Sequence, residues 1–540
     1  MKKIICILIC TLMIITIIPS VSSISKLSIP EKKINQNNLI NNKYEKNQIL
    51  SEFVSMQNPP KISEMNFKSI KPLPKNTPDE FSWTEYNGKD WTTPAKHQGN
   101  CGSCWAFAAM SVYESIIKIK ENCAEFNPDL SEQYILSCIK GAGSCYGGNT
   151  HRAFELLNST SANGNYHDGI IPEECMLYQA DDDIPCSDKC DNWESLLVPI
   201  YDFGTWQVKG SDDDREAIKT HIMETGPVAA YIKGTDMFKI WGALNHNPED
   251  FFDNILPVVG INHVIMIVGW KDISSAPNGG YWICKNSWGQ GWGYNGFFNI
   301  AYGSLNIDKY LITWAGYDPD SFNWSPIPIT DGPYGVYLGN ELSLDGSDSI
   351  GIEGEILSYF WEFGDGFNDT GITTTHNYAD LGKYTVTLTA TDSEGYIGDS
   401  ETNLWVQDSN LPPNKPSISG PVSGMVNANK KYTVSSTDPE GNDIWFLIKW
   451  SEEETYQIYG PYKSGEEVTI GHYWQKIGSH TISVKAKDVF NDESELETFN
   501  IRIPKNKARD ISGLLLYKVI NRFPFISILV KIISNIDLVF

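Results

Sequence analysis

The chain has 540 residues, with 42 basic against 67 acidic side chains and a formal charge of −25 at neutral pH. Such a length exceeds one ordinary core and points to roughly three or four domains. The negative balance repels polyanions, which excludes nucleic acid as a partner, and it suits a protein kept soluble outside the cell.

Lys2 and Lys3 precede an apolar run over residues 4–18, followed by Pro19 and the small residues Ser20, Ser22 and Ser23. The run is shorter than the ~20 residues a spanning helix needs, so residues 1–23 read as a secretory signal peptide. Residues 24–78 are rich in Lys, Asn, Ser and Pro and hold no cysteine, the composition of a weakly folded leader.

Of the eleven cysteines, Cys6 and Cys10 leave with the signal, and the other nine all lie within residues 79–318. An exported domain that concentrates cysteine is normally disulfide-bonded, and setting one thiol aside for chemistry leaves an even number to pair. Helix-like segments followed by glycine-punctuated strands make residues 79–318 an α+β unit.

Within it, residues 94–107 (PAKHQGNCGSCWAF) lead into an apolar helical segment that places Cys104 at a helix start. Unfinished N–H groups and the helix dipole there favour thiolate, the nucleophilic form. A thiolate needs an imidazolium to protonate the leaving amine, and His263 stands at the mouth of the apolar strand in residues 260–270 (GINHVIMIVGW). Residues 281–296 then supply an amide at Asn286, able to accept the imidazole N–H, and an indole at Trp288, able to keep water from that bond. Gln98, six residues before the thiol, can donate to a developing oxyanion together with the Cys104 backbone N–H.

Residues 98–105, the segments LSEQ (130–133) and CYGG (145–148), the histidine strand, and KNSWG (285–289) stand in the order found in the papain family, which this region resembles. The resemblance implies a two-lobed fold, a helical left lobe facing a β-barrel-like right lobe. It implies a cysteine peptidase that hydrolyses protein or peptide bonds with no cofactor or metal, through Gln98, Cys104, His263 and Asn286. It further implies that Gly147 and Gly148 form an edge bonding the substrate backbone, that Trp288 shields the histidine, and that Cys101 pairs with Cys145. For Cys138 the candidates Cys175, Cys186 and Cys190 remain open.

There are departures. His263 lies further from Cys104 than the family spacing, and the surplus, residues 241–257, reads as an inserted loop near the cleft. Asn149 and Thr150 follow the paired glycines where many relatives have an aromatic and a proline, which points to an altered apolar subsite. His97, His151, His167, His221 and His246 read as surface or loop residues, and no His/Cys spacing suggests zinc. Cys284 reads as a buried small side chain.

After a proline-marked link, residues 327–408 turn to short alternating strands, for example 384–391, with WEFGDG (361–366) and HNY (376–378). These motifs resemble the polycystic-kidney-disease (PKD) repeat, and Trp361 and Phe363 read as sandwich core. A second proline-rich link leads to residues 412–504, an immunoglobulin-like or fibronectin-like sandwich by its alternation. The fold class expected is therefore an α+β papain-like two-lobed domain followed by two all-β sandwiches acting as spacers or as arms that hold a cell surface or extracellular polymer.

The tail, residues 505–540, is basic and apolar but interrupted by Lys518, Arg522, Pro524, Lys531 and Asp537, so it does not read as a spanning helix. A peripheral membrane contact, a sorting signal and a terminal helix docked on the last module all fit it. The leader reads as an inhibitory pro-segment of a zymogen, and the location expected is extracellular, free or retained at the cell surface. The competing reading of the whole chain is a surface adhesin with an inactive peptidase-like domain; the intact set Cys104, His263, Asn286 and Gln98 argues against it. A transglutaminase-like acyl transferase would need a carboxylate where Asn286 stands.

Overall fold

The computed structural model describes residues 54–59, 71–159, 168–244, 247–254, 257–424, 429–474 and 476–504. The signal segment, most of the leader and the basic tail lie outside the described residues.

The first unit opens with the short strand β1 (Glu80–Ser82) and is built round helix α1 (Cys104–Lys120). Every α1 residue from Cys104 to Lys118 is buried, as expected of a helix that is apolar almost all round and runs through a core. Lys118 and Lys120 occupy its last turn, where cations complement the helix dipole. Helix α2 (Glu132–Cys138), the glycine strands β2 (Gly143–Ser144) and β3 (Gly147–Gly148), and helix α3 (Thr150–Leu157) complete this helical lobe.

The other lobe is a mainly antiparallel sheet of β4 (Asp202–Gln207), β5 (Val228–Ile232), β6 (Phe251–Phe252), β7 (His263–Asp272), β8 (Gly280–Lys285), β9 (Phe297–Ala301) and β10 (Leu311–Gly316), in the order β4-β10-β5-β7-β8-β9-β6, with β1 paired to β7. Two helices interrupt it, α4 (Asp212–Glu224) after β4 and α5 (Asp236–Leu244) after β5. The first eight residues of β7 are buried because the strand sits inside the sheet with α1 packed against it. Within the expected inserted loop, Trp241 belongs to α5, and β6 pairs in parallel with β9.

Three disulfides stand among the described residues, Cys101–Cys145, Cys138–Cys186 and Cys175–Cys190. The first is the pairing implied by the resemblance, and the second answers the open question at Cys138. The pairing of Cys123 and Cys284, open from the sequence, is answered too: both are buried and unbridged, as is Cys104. Cys284 is fully buried within β8, where it behaves as a small apolar side chain.

Two histidines read as surface residues are buried instead. His151 lies inside α3 with its Nδ1 3.0 Å from Thr205 Oγ1, and His221 lies in α4 between the rings of Trp206 and Trp314. Their apolar helix faces turn them inward.

The first β module holds the sheet β11 (Tyr334–Tyr337), β17 (Ile397–Gln407), β16 (Gly382–Asp392), β13 (Ile356–Glu362) and β14 (Asn368–Thr370), with the pair β12 (Leu342–Asp345) and β15 (Thr373–His376) opposite. Trp361, Phe363, Val386, Leu388 and Leu404 fill the space between. The second packs β18 (Ser417–Ser419), β19 (Asn429–Ser435) and β22 (Val468–Tyr473) against β21 (Gln457–Tyr462), β20 (Ile444–Lys449), β23 (Gly478–Asp488) and β24 (Glu497–Ile503) over Tyr432, Phe446, Trp450 and Trp474. Trp324 anchors the first module to the helical lobe: its ring lies 4.8 Å from Phe126 and its Nε1 donates to Tyr317 Oη at 3.0 Å.

Candidate active site

Cys104 is the first residue of α1, so its own N–H and that of Trp105 have no partner inside the helix and are free to face the thiol. Those two groups and the backbone at Val264 and Met56 pull the thiol pKa down, yet complete burial outweighs them and pushes it up to about 12. The involvement of Val264 places the sulfur beside His263, the first residue of β7.

His263 is fully buried, with its Nε2 2.8 Å from Asn286 Oδ1. The same oxygen accepts the Ser287 N–H at 2.9 Å, so it is the acceptor and Nε2 carries the proton. Nδ1 then keeps a lone pair, and it has no hydrogen-bond partner among the described residues. Trp288 stacks on the imidazole at 4.4 Å between ring centres and 22° between planes, closing the His263–Asn286 bond from solvent. Burial holds the imidazole down at about 3; the Asn286 bond opposes this and the charge of Lys239 adds to it.

Gln98 is fully buried as well. Its Nε2 donates to Cys101 O at 2.7 Å and to Val54 O at 3.2 Å, while its Oε1 accepts from Ser287 Oγ at 2.7 Å. Ser287 therefore links the Gln98 amide to the segment that carries Asn286. Sequence reasoning passed over Ser287, although it stands between Asn286 and Trp288.

A buried charge network holds these pieces together. Lys96 meets Glu114 of α1 at 2.7 Å and Glu132 of α2 at 3.1 Å, Thr93 donates to Glu114 Oε2 at 2.6 Å, and Lys285 of β8 donates to Thr93 at 2.8 Å. The loop carrying Gln98, the nucleophile helix and the end of the strand that leads into Asn286 are thereby joined. Nothing in the spacing of these charges singled them out.

Gly147 and Gly148 pair with Ser144 and Gly143 and border the cleft. A Cβ on Gly148 would come within 2.3 Å of the Trp105 ring, so the wall tolerates only glycine. The Asn149 amide oxygen is used within the lobe: it caps α3 through Arg152 N at 3.2 Å and takes the Tyr231 hydroxyl at 3.3 Å.

Residues 54–58 of the leader run through this cleft, a path invisible in their composition. Val54 O accepts from Gln98 Nε2 and, at 3.1 Å, from Trp288 Nε1. Met56 N donates to Asn262 O at 2.7 Å, and Gln57 N and Asn58 N both donate to Tyr146 O, at 2.8 and 2.7 Å. Met56 is 3% exposed and belongs to the same buried cluster as Cys104, Tyr231, Ile261 and Val264. This segment adds to the burial that disfavours charge on both Cys104 and His263.

The chain is similar to known proteins over parts of its length. Residues 77–313 match the family described as papain family cysteine protease, and residues 323–406 match the PKD domain. A viral cathepsin of Heliothis zea nuclear polyhedrosis virus is 31% identical over 224 residues, 41% of this chain and 52% of that protein. Cathepsin Z of Onchocerca volvulus is 31% identical over 231 residues, 42% of this chain and 70% of its own length. The chain thus spans from about half to about two thirds of these relatives. Among solved structures, the PKD domain of an M14-like peptidase from a Thermoplasmatales archaeon is 41% identical, covering 18% of this chain and all of that one, with a TM-score of 0.18.

Proposed function

The chain belongs to the papain family of cysteine proteases, and on that premise we propose that it is a secreted thiol peptidase, made as a zymogen, that cleaves protein or peptide substrates with Cys104, His263, Asn286 and Gln98. The observation that carries this reading is the orientation of His263, Nε2 bonded to Asn286 and Nδ1 left open, beside a thiol at a helix start.

In this mechanism the Cys104 proton passes to His263 Nδ1 and the sulfur attacks the substrate carbonyl carbon. The oxygen takes the negative charge within reach of Gln98 Nε2 and the Cys104 N–H. Collapse breaks the C–N bond, and the His263 imidazolium gives its proton to the departing amine, leaving a thioester. Water, deprotonated by His263, attacks the thioester; the resulting acid departs and the thiol takes back its proton. Asn286 and Trp288 position the imidazole and touch no reacting atom, while Gly147 and Gly148 offer a backbone edge to the substrate.

The leader supports the zymogen reading. Since His263 serves the departing amine, that part of a substrate lies toward Trp288, and the acyl part lies toward Gly147 and Gly148. Residues 54–58 run from the Trp288 end to the Gly147 end, opposite to a productive substrate. The disulfides support an oxidising destination outside the cell. The two β modules then serve as spacers or polymer-binding arms.

A thiol-directed irreversible inhibitor should label the trimmed enzyme once, at Cys104, with loss of all activity, and chelators should leave activity intact. Labelling elsewhere with activity retained would remove the assignment. Asn286→Ala should lower kcat/KM by about 100-fold, less than loss of a reacting group, because it frees the ring without removing it. Restoration by Asn286→Gln or Asn286→Asp, read from the pH profile of kcat/KM, separates orientation from a folding defect.

A further inference from the structure

Resting on the peptidase reading above, we propose that Lys239 is a specificity-determining cation that binds a carboxylate carried by the first residue on the departing side of the scissile bond. Helix α5 stands behind the indole that covers His263: Phe238 lies 5.9 Å from Trp288 and 5.0 Å from Trp292, and Trp292 Nε1 donates to Lys239 O at 3.0 Å. The Lys239 backbone is therefore held behind Trp288, on the side of the cleft where the departing amine must lie.

Its side chain is only half-exposed, and among the described residues its ammonium has no hydrogen bond or ion pair. Asp236, one turn earlier, acts on it through its field alone, and burial still lowers its pKa. The Lys239 charge also acts against protonation of His263. A cation whose field reaches an imidazole that must become an imidazolium opposes the reaction, and among the described residues only the field of Asp236 acts against it. A substrate carboxylate at this place would relieve both charges at once, and a charge-assisted bond in a partly dry cleft discriminates well between charged and neutral ligands. The carboxylate has two sources, an acidic side chain on that residue or its own α-carboxylate at a substrate C-terminus.

The test uses the trimmed full chain and peptides of one sequence carrying Glu, Ala or Lys after the scissile bond, with extended ends. A parallel set ends at that residue, as Ala, with a free acid or an amide. The expected result is a kcat/KM about tenfold higher for a carboxylate peptide than for its neutral partner, shrinking as salt is raised. Preference for Glu in the extended set assigns the side chain as the source, and preference for the free acid in the short set assigns the α-carboxylate. Lys239→Met should bring that ratio close to one, Lys239→Arg should keep it, and Lys239→Glu should turn it toward the Lys peptide. A wild-type ratio near one, or an unchanged ratio in Lys239→Met, overturns the proposal. Cleavage without carboxylate preference sinks this inference alone, whereas no cleavage of any peptide by the trimmed wild type sinks the peptidase reading with it.

Discussion

Cys104→Ala should lower kcat/KM for peptide hydrolysis by about 10⁵-fold or more, and His263→Ala nearly as far. Without the sulfur no thioester forms, and without the imidazole the thiol keeps its proton and the departing amine receives none. The two losses should not multiply in the double variant, because each alone already disables the covalent route. Cys104 is fully buried, so thermal unfolding of each variant should be compared with that of the parent chain. Cys104→Ala with native-like unfolding and full activity would remove the nucleophile assignment. His263→Ala that alkylates at Cys104 as fast as the parent would remove the base.

Cutting away the leader should raise initial activity on a small peptide by about 1,000-fold. A tethered segment presents itself at an effective concentration of about 1 mM, so binding at about 1 μM in free form is enough for that factor. Residues 54–58 make backbone hydrogen bonds to both cleft walls, and Met56 is buried beside the thiol. Under this cover burial raises the thiol pKa to about 12 and lowers that of His263 to about 3, so at pH 7 both groups are neutral. Removal of the leader rehydrates the pair, moving the thiol pKa down and the imidazole pKa up, and the ion pair forms at neutral pH. Iodoacetamide should therefore alkylate Cys104 fast at pH 7 in the trimmed chain. In the precursor the rate should stay low and climb only as the pH approaches strongly alkaline values. Met56→Asp, which would bury a carboxylate, should loosen the segment and raise precursor activity. Equal rates for precursor and trimmed chain, followed by mass so that no shortening intrudes, would refute inhibition.

The candidate site was legible where chemistry demands particular residue types in a short stretch. Gln98, Cys104, His263 and Asn286 each stood in a segment whose neighbours announced it, and the structure gathers them at one place. The sandwich core of the first module was legible by alternation, since Trp361 and Phe363 share a face two residues apart. What escaped reading depends on paths between segments. The partner of Cys138 is Cys186 because the loop over 168–198 folds back on α2, and no local pattern encodes that return. His151 and His221 looked unremarkable because a lone histidine carries no mark of the helix face it occupies. Val54 and Met56 sit in a stretch with no periodicity, and only the cleft gives them an address. Lys239 is one lysine among many until its helix is seen packed behind Trp288.

The three bridges all lie in the helical lobe, and one of them, Cys101–Cys145, ties the nucleophile loop to the glycine wall across from it. Gly102 N donates to Cys145 O at 2.7 Å beside that bridge, so the two banks of the groove move as a unit. The consequence is an operating window in reductant. In too oxidising a medium a small disulfide exchanges with the Cys104 thiol, leaving a mixed disulfide on the sulfur and releasing its other half as thiol, and silences it. Too reducing a medium opens Cys101–Cys145 and frees the glycine wall from the loop that holds the thiol, while the cysteine-poor sheet lobe and the two sandwiches stay folded. Activity plotted against ambient thiol–disulfide potential should thus rise, peak and fall, and the falling limb should be steeper for large protein substrates that need both banks in register than for small peptides.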